Sequence, residues 1–111
     1  MKIVNIHELV EEGKNNCLFK VIFDKKNTSN DKVTMGMVNI PPGARIPAVG
    51  DGVHSSDEYS LICRGTVVTM VNGSEHRISS GQAAYIPAGE FHWTINDGTE
   101  DCEVLWVLVK N

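Results

Sequence analysis

The stretch Gly81-Gln82-Ala83-Ala84-Tyr85-Ile86-Pro87-Ala88-Gly89-Glu90-Phe91-His92-Trp93-Thr94-Ile95-Asn96 decides how this chain is read. Gln82–Ile86 has the make-up of a short strand, and Pro87-Ala88-Gly89 stops it, because proline lacks a ladder donor and glycine permits a sharp turn. A second strand, His92–Asn96, follows at once. Side chains alternate along a strand. His92, Thr94 and Asn96 therefore share one face, and Trp93 and Ile95 take the other.

Outward from this segment the same texture continues. Strands are expected over Leu18–Asp24, Lys32–Ile40, Glu58–Cys63, Thr66–Val71, Ser74–Ser79 and Glu103–Val109. Turns separate them: Asn27-Thr28-Ser29-Asn30-Asp31, Pro41-Pro42-Gly43, the hairpin pair Asn72-Gly73, and Asn96-Asp97-Gly98. One short helix over about residues 6–12 is expected, with Asn5 as N-cap, Glu8 as its capping-box partner and Gly13 as terminator. The fold class is all-β, a barrel or sandwich of short strands.

Upstream of the deciding stretch lies His54-Ser55-Ser56-Asp57-Glu58. Strand parity puts His54, Ser56, Glu58, Ser60 and Ile62 on one face and Asp57, Tyr59, Leu61 and Cys63 on the other. Imidazole and carboxylate are good ligands for Zn, Fe, Mn or Ni. If a closed sheet brings the two strands together, His54, Glu58 and His92 can converge. On residue types alone such a trio proves little.

The 81–96 segment resembles the second motif of the cupin superfamily, G(X)5PXG(X)2H(X)3N, at every fixed position: Gly81, Pro87, Gly89, His92 and Asn96. His54 and Glu58, with six residues from Glu58 to Gly65, resemble the back half of the first motif, HXH(X)3,4E(X)6G. The resemblance implies a double-stranded β-helix, or jelly-roll barrel, with one short N-terminal helix. Residues 1–31 would form a helix and strand extension, and residues 32–111 the barrel of a single domain. It implies a metal site of His54, Glu58 and His92, holding a divalent transition metal (Fe, Mn, Ni or Zn). The pattern departs at two places: the first motif histidine falls on Gly52 and the opening glycine on Ile46. The family's usual four ligands are thus reduced to a two-His-one-carboxylate set, which leaves positions open for water or substrate.

The resemblance admits metal-dependent dioxygenase, isomerase or lyase chemistry on a small organic molecule. It also admits a non-catalytic, sugar-like ligand binder with a degenerate or absent metal site. No catalytic residue beyond the ligands can be named. The pocket is expected to hold Ser60, Thr94 and Met35 or Met37. Arg45, near the expected mouth, is read as a surface charge ahead of an anion contact. His7 and His76 are read as surface residues, and Asp57 as an exposed neighbour of the site.

Composition sets the remaining bounds. The chain has 111 residues, enough for one domain. Its net charge of −4, with no basic cluster beyond Lys25-Lys26, argues against a nucleic-acid partner. No apolar run approaches a membrane span, and no secretory leader is visible, so a cytoplasmic location is expected. Cys17, Cys63 and Cys102 lack both a disulfide count and metal spacing. Val104 to Val109 is apolar on both parities, and Tyr59, Leu61 and Trp93 point outward. A homodimer is the expected way to cover them.

Overall fold

The computed structural model describes residues 1–111 as two facing antiparallel sheets. Ten strands run in chain order: β1 (Glu12–Lys14), β2 (Cys17–Phe23), β3 (Val33–Ile40), β4 (Arg45–Ile46), β5 (Ser56–Arg64), β6 (Thr66–Val71), β7 (Ser74–Ser79), β8 (Ala83–Ile86), β9 (His92–Ile95) and β10 (Cys102–Lys110). The larger sheet has the order β1-β2-β3-β10-β5-β8, and the smaller β4-β9-β6-β7. This is the jelly-roll arrangement. The sheet does not close, however: β7 and β8 are end strands of separate sheets.

The N-terminal helix is corrected. Only a 3-10 turn, Ile6–Glu8, forms, with the Asn5 side chain accepting from His7 N–H. Gly13 does not terminate a helix but lies inside β1, opposite Leu18. Two turns of helix cannot hold without a surface to dock on, and from Glu12 onward the chain pairs with β2. A reciprocal capping box does exist, at Asp24 and Asn27, around the single helical turn α1 (Lys25–Thr28). That segment was expected to be only a turn.

Local chemistry sets the register. Asn72 and Gly73 both have positive φ, 49° and 80°, as a two-residue hairpin of this twist requires. The turn fixes Val71 opposite Ser74 and Thr69 opposite His76. Gly65 is obligatory on steric grounds: a Cβ there would lie 2.6 Å from the Asp101 carbonyl oxygen.

The inner faces stack in three tiers. At one end Cys17, Val38, Ile40, Ala44, Ile62, Val67, Cys102 and Val104 form the buried apolar core. Next comes a tier of hydroxyls and one indole: Ser60 opposite Trp106, and Thr69 opposite Thr94. At the far end Glu58 stands opposite Leu108, and His92 opposite Val71. The core thus anchors one end of the sandwich and leaves the other to polar side chains. Met35 and Met37 pair with Val107 and Leu105 on the outer face. They lie outside the pocket in which they were expected.

Candidate metal centre

His54 precedes β5, Glu58 lies within it, and His92 opens β9, so the three side chains come from two different sheets. They nevertheless meet. One ligand atom from each lies within 4.8 Å of the other two. His54 Nε2 is 3.4 Å from Glu58 Oε1, and the His54 and His92 ring centroids are 5.1 Å apart. Two ligands each about 2.1 Å from an ion at a tetrahedral angle stand about 3.4 Å apart, so the first spacing suits a shared ion.

Backbone ties between the two segments hold this geometry. Gly52 and His92 form an isolated antiparallel bridge, with N···O distances of 2.7 and 3.0 Å. Gly89 N–H donates to the His54 carbonyl at 2.9 Å. Asp57 Oδ1 accepts from Ala88 N–H, also at 2.9 Å. Asp57 is therefore half-buried and clamps the Pro87–Gly89 turn, where the sequence reading had placed an exposed neighbour. Its outward parity gave no hint of this, because the turn that it grips is remote in sequence.

The electrostatics favour ligation through defined atoms. His92 is buried, and its Nδ1 lies 3.0 Å from the Glu90 carbonyl oxygen. A carbonyl only accepts, so Nδ1 carries the proton and Nε2 is left with a free lone pair. The Glu58 carboxylate raises the pKa of His54 by a hydrogen bond, which outweighs the opposing effects of burial and the Lys14 charge. A cation that bridged the 3.4 Å gap between His54 Nε2 and Glu58 Oε1 would have to displace that proton. The donor set, two imidazole nitrogens and a carboxylate oxygen, fits a borderline divalent metal.

The remaining candidates fall elsewhere. Arg45 is not a free surface charge. Its Nη1 donates to Pro47 O at 2.7 Å and Gly50 O at 2.8 Å, and its guanidinium lies 4.2 Å from the Trp93 ring centroid. It straps the 47–50 loop to β9. Trp93 is covered by this contact and sits on the smaller sheet, apart from Tyr59 and Leu61. His7 lies exposed on the 3-10 turn. His76 is exposed, as expected, but its register opposite Thr69 turns it to the inner side. There it helps line a cavity of about 410 Å³ open between β7 and β8. The Asn72-Gly73 hairpin carried that information, since its register alone fixes the parity of His76.

The cupin-domain family model matches residues 36–108. The chain belongs to the cupin family. Among curated proteins none matches the sequence. Several solved cupin-like structures share the fold. A predicted oxalate decarboxylase from Thermotoga maritima superposes with a TM-score of 0.87 at 24% identity, covering 99% of this chain and 100% of that one. The polyketide cyclase RemF from Streptomyces resistomycificus gives 0.84 at 18%, over 100% of this cupin and 80% of the other. KdgF from Halomonas sp. gives 0.80 at 14%, over 100% and 96%. At these identities the likeness is one of fold, and differently named proteins share it.

Proposed function

We propose that this cupin holds one divalent transition metal on His54, Glu58 and His92 and uses it to bind and transform a small organic molecule. The convergence of the three ligand atoms within 4.8 Å carries this reading. Bound there, the metal supplies Lewis-acid polarisation of substrate oxygens. The chain's own residues do the rest. Glu90 O sets the His92 tautomer, and Asp57 fixes the turn that delivers His92. Dioxygenase, isomerase and lyase chemistry are all compatible with three protein ligands and open positions. Elemental analysis of protein purified without chelator tests the proposal: about one metal per chain is expected, and none in His92→Ala. Retention of full occupancy by that variant would refute the ligand assignment.

The second reading is a ligand-binding cupin without catalysis. It is favoured by the ligand group itself, which gathers no His, Cys, Asp or Glu beyond His54, Glu58 and His92. Turnover of no candidate substrate by fully metallated protein, alongside saturable ligand binding, would select it.

Two further parts of the reading are proposals. Residues 1–31 act as an extension of a single domain whose barrel is 32–111, supported by the pairing of β2 with β3. A cytoplasmic setting is supported by the three free thiols. No helix is long and apolar enough to cross a membrane.

A further inference from the structure

β7 and β8 are end strands of separate sheets, and the sandwich is open along the side between them. The opening is a cavity of about 410 Å³, a size usual for small-molecule sites. Its apolar lining comes from both sheets: Val71 of β6, Ile78 of β7, and Ala84 and Ile86 of β8. None of His54, Glu58 and His92 lines it, so the cavity is distinct from the metal group. Most polar groups around it are already occupied. The Thr69 hydroxyl bonds to that of Thr94 at 2.8 Å. Arg77 donates to both carboxylate oxygens of Asp97. Gln82 Oε1 accepts from Ser79 N–H at 2.8 Å. Glu90 differs from these. It is the one acidic residue of the lining, it is half-buried, and its carboxylate enters none of the chain's ion pairs. No lysine lines the cavity to balance it. The local field agrees: the Tyr85 hydroxyl pKa is raised by desolvation first and then by the charges of Asp57, Tyr59 and Glu90.

We propose that the cavity between β7 and β8 binds a small primary amine with an apolar tail, its ammonium group on Glu90 and its tail on Val71, Ile78 and Ile86. A carboxylate held partly out of water without a counter-ion is complemented by a cation. The ammonium supplies donors to an acceptor-only group, and such charge-assisted hydrogen bonds are stronger than neutral ones. The apolar lining adds the second requirement. It gives nothing to a small hydrated cation, but it gains from covering an alkyl or aryl tail. Charge sets the selectivity. The same Glu90 repels a carboxylate, and a neutral molecule of equal shape gains only the apolar contact. The inference does not depend on the metal reading, since the residues that carry it lie outside the ligand set.

The test titrates the full chain, as purified, with two probes of equal shape, 2-phenylethylamine and 2-phenylethanol. It is run at pH 8, where an imidazole is neutral and an alkylamine is charged. Wild type should bind the amine about tenfold more tightly, the value of one charge-assisted hydrogen bond. Glu90→Gln keeps the side-chain shape and removes the charge, and it should bring the two affinities within about twofold of each other. Methyl signals read the site in wild type, with no need for that variant to fold. The Ile78 δ-methyl signal, assigned by its loss in Ile78→Val, should shift on addition of the amine. Repeating the titration in excess EDTA separates this site from any metal that the amine could ligate, and the preference should persist. Equal affinities in wild type, a preference that survives Glu90→Gln, an unmoved Ile78 signal or a preference lost with EDTA overturns the proposal. Metal analysis of the same sample judges the His54, Glu58 and His92 assignment separately, so the two readings stand or fall apart.

Discussion

Gly52 and His92 face each other across an isolated antiparallel bridge, each donating its N–H to the other's carbonyl. Residues so paired project to the same side of a sheet. A side chain at position 52 would therefore emerge beside the His92 imidazole. The space exists: a Cβ there meets nothing closer than 3.4 Å, at His92 O and Pro47 Cδ. Gly52→His should add a fourth ligand and tighten metal binding by about tenfold or more, while Gly52→Ala should leave it unchanged. Competition against a chelator of known affinity measures both. An unchanged dissociation constant in Gly52→His would show that position 52 does not address the ion.

Asp57 acts on the centre through the turn that it grips. Its Oδ1 accepts from Ala88 N–H, four residues before His92. Asp57→Ala should cost about 1–2 kcal/mol of stability and weaken metal affinity roughly tenfold, as the loss of an outer-shell partner does. Asp57→Asn retains an acceptor oxygen and should recover most of both. Denaturant titration and metal competition read the two effects separately. If Asn and Ala prove equally harmful, the hydrogen bond is not what matters.

Much of this was legible in the chain. The Asn72-Gly73 pair announced its hairpin because both residues tolerate positive φ, and the strands it joins came out at their observed bounds. Parity along β5 and β9 placed Glu58 and His92 inward. What sequence could not supply was any relation that depends on which loop lands against which. Arg45 looked like a free surface charge, yet its Nη1 donates to two carbonyls of its own loop. Met35 and Met37 were read onto the pocket because their strand could be assigned but not its register against β10. The helix at 6–12 shrank to the turn at Ile6–Glu8 because capping signals describe only a local preference, and the chain leaves helical geometry before β1 begins at Glu12.

Asn96, the last fixed residue of the 81–96 motif, is a structural keystone and not part of the centre. It is fully buried, and its Nδ2 donates to Ile40 O at 2.8 Å and Glu100 O at 2.7 Å. Its Oδ1 accepts from Gly98 N–H at 2.9 Å. Asn96→Ala strands the buried Ile40 carbonyl and removes the partners of the Glu100 carbonyl and the Gly98 amide, and should lower unfolding free energy by about 2–4 kcal/mol. Metal affinity of the folded protein should stay within about twofold, since His92 lies at the opposite end of β9. Urea denaturation gives the first quantity. A loss below about 1 kcal/mol would mean that water or relaxation replaces these bonds.

The outer face of the larger sheet predicts a second copy of this chain as its cover. Tyr59 and Tyr85 stack there with centroids 5.0 Å apart, and they are 49% and 55% exposed. Leu61 beside them is 39% exposed, and cross-strand pairing adds Leu105 and Val107 to the same surface. Its centre is apolar, with Asp57 at one end and the Arg64–Glu103 pair at the other, so two copies can meet on the centre about a two-fold axis and leave these charges at the rim. Light scattering should return twice the chain mass. Leu61→Lys, which places like charges face to face at the axis, should yield monomers that keep their metal, because Leu61 and Glu58 sit on opposite faces of β5. A wild-type protein that stays monomeric at high micromolar concentration would leave this face to another partner.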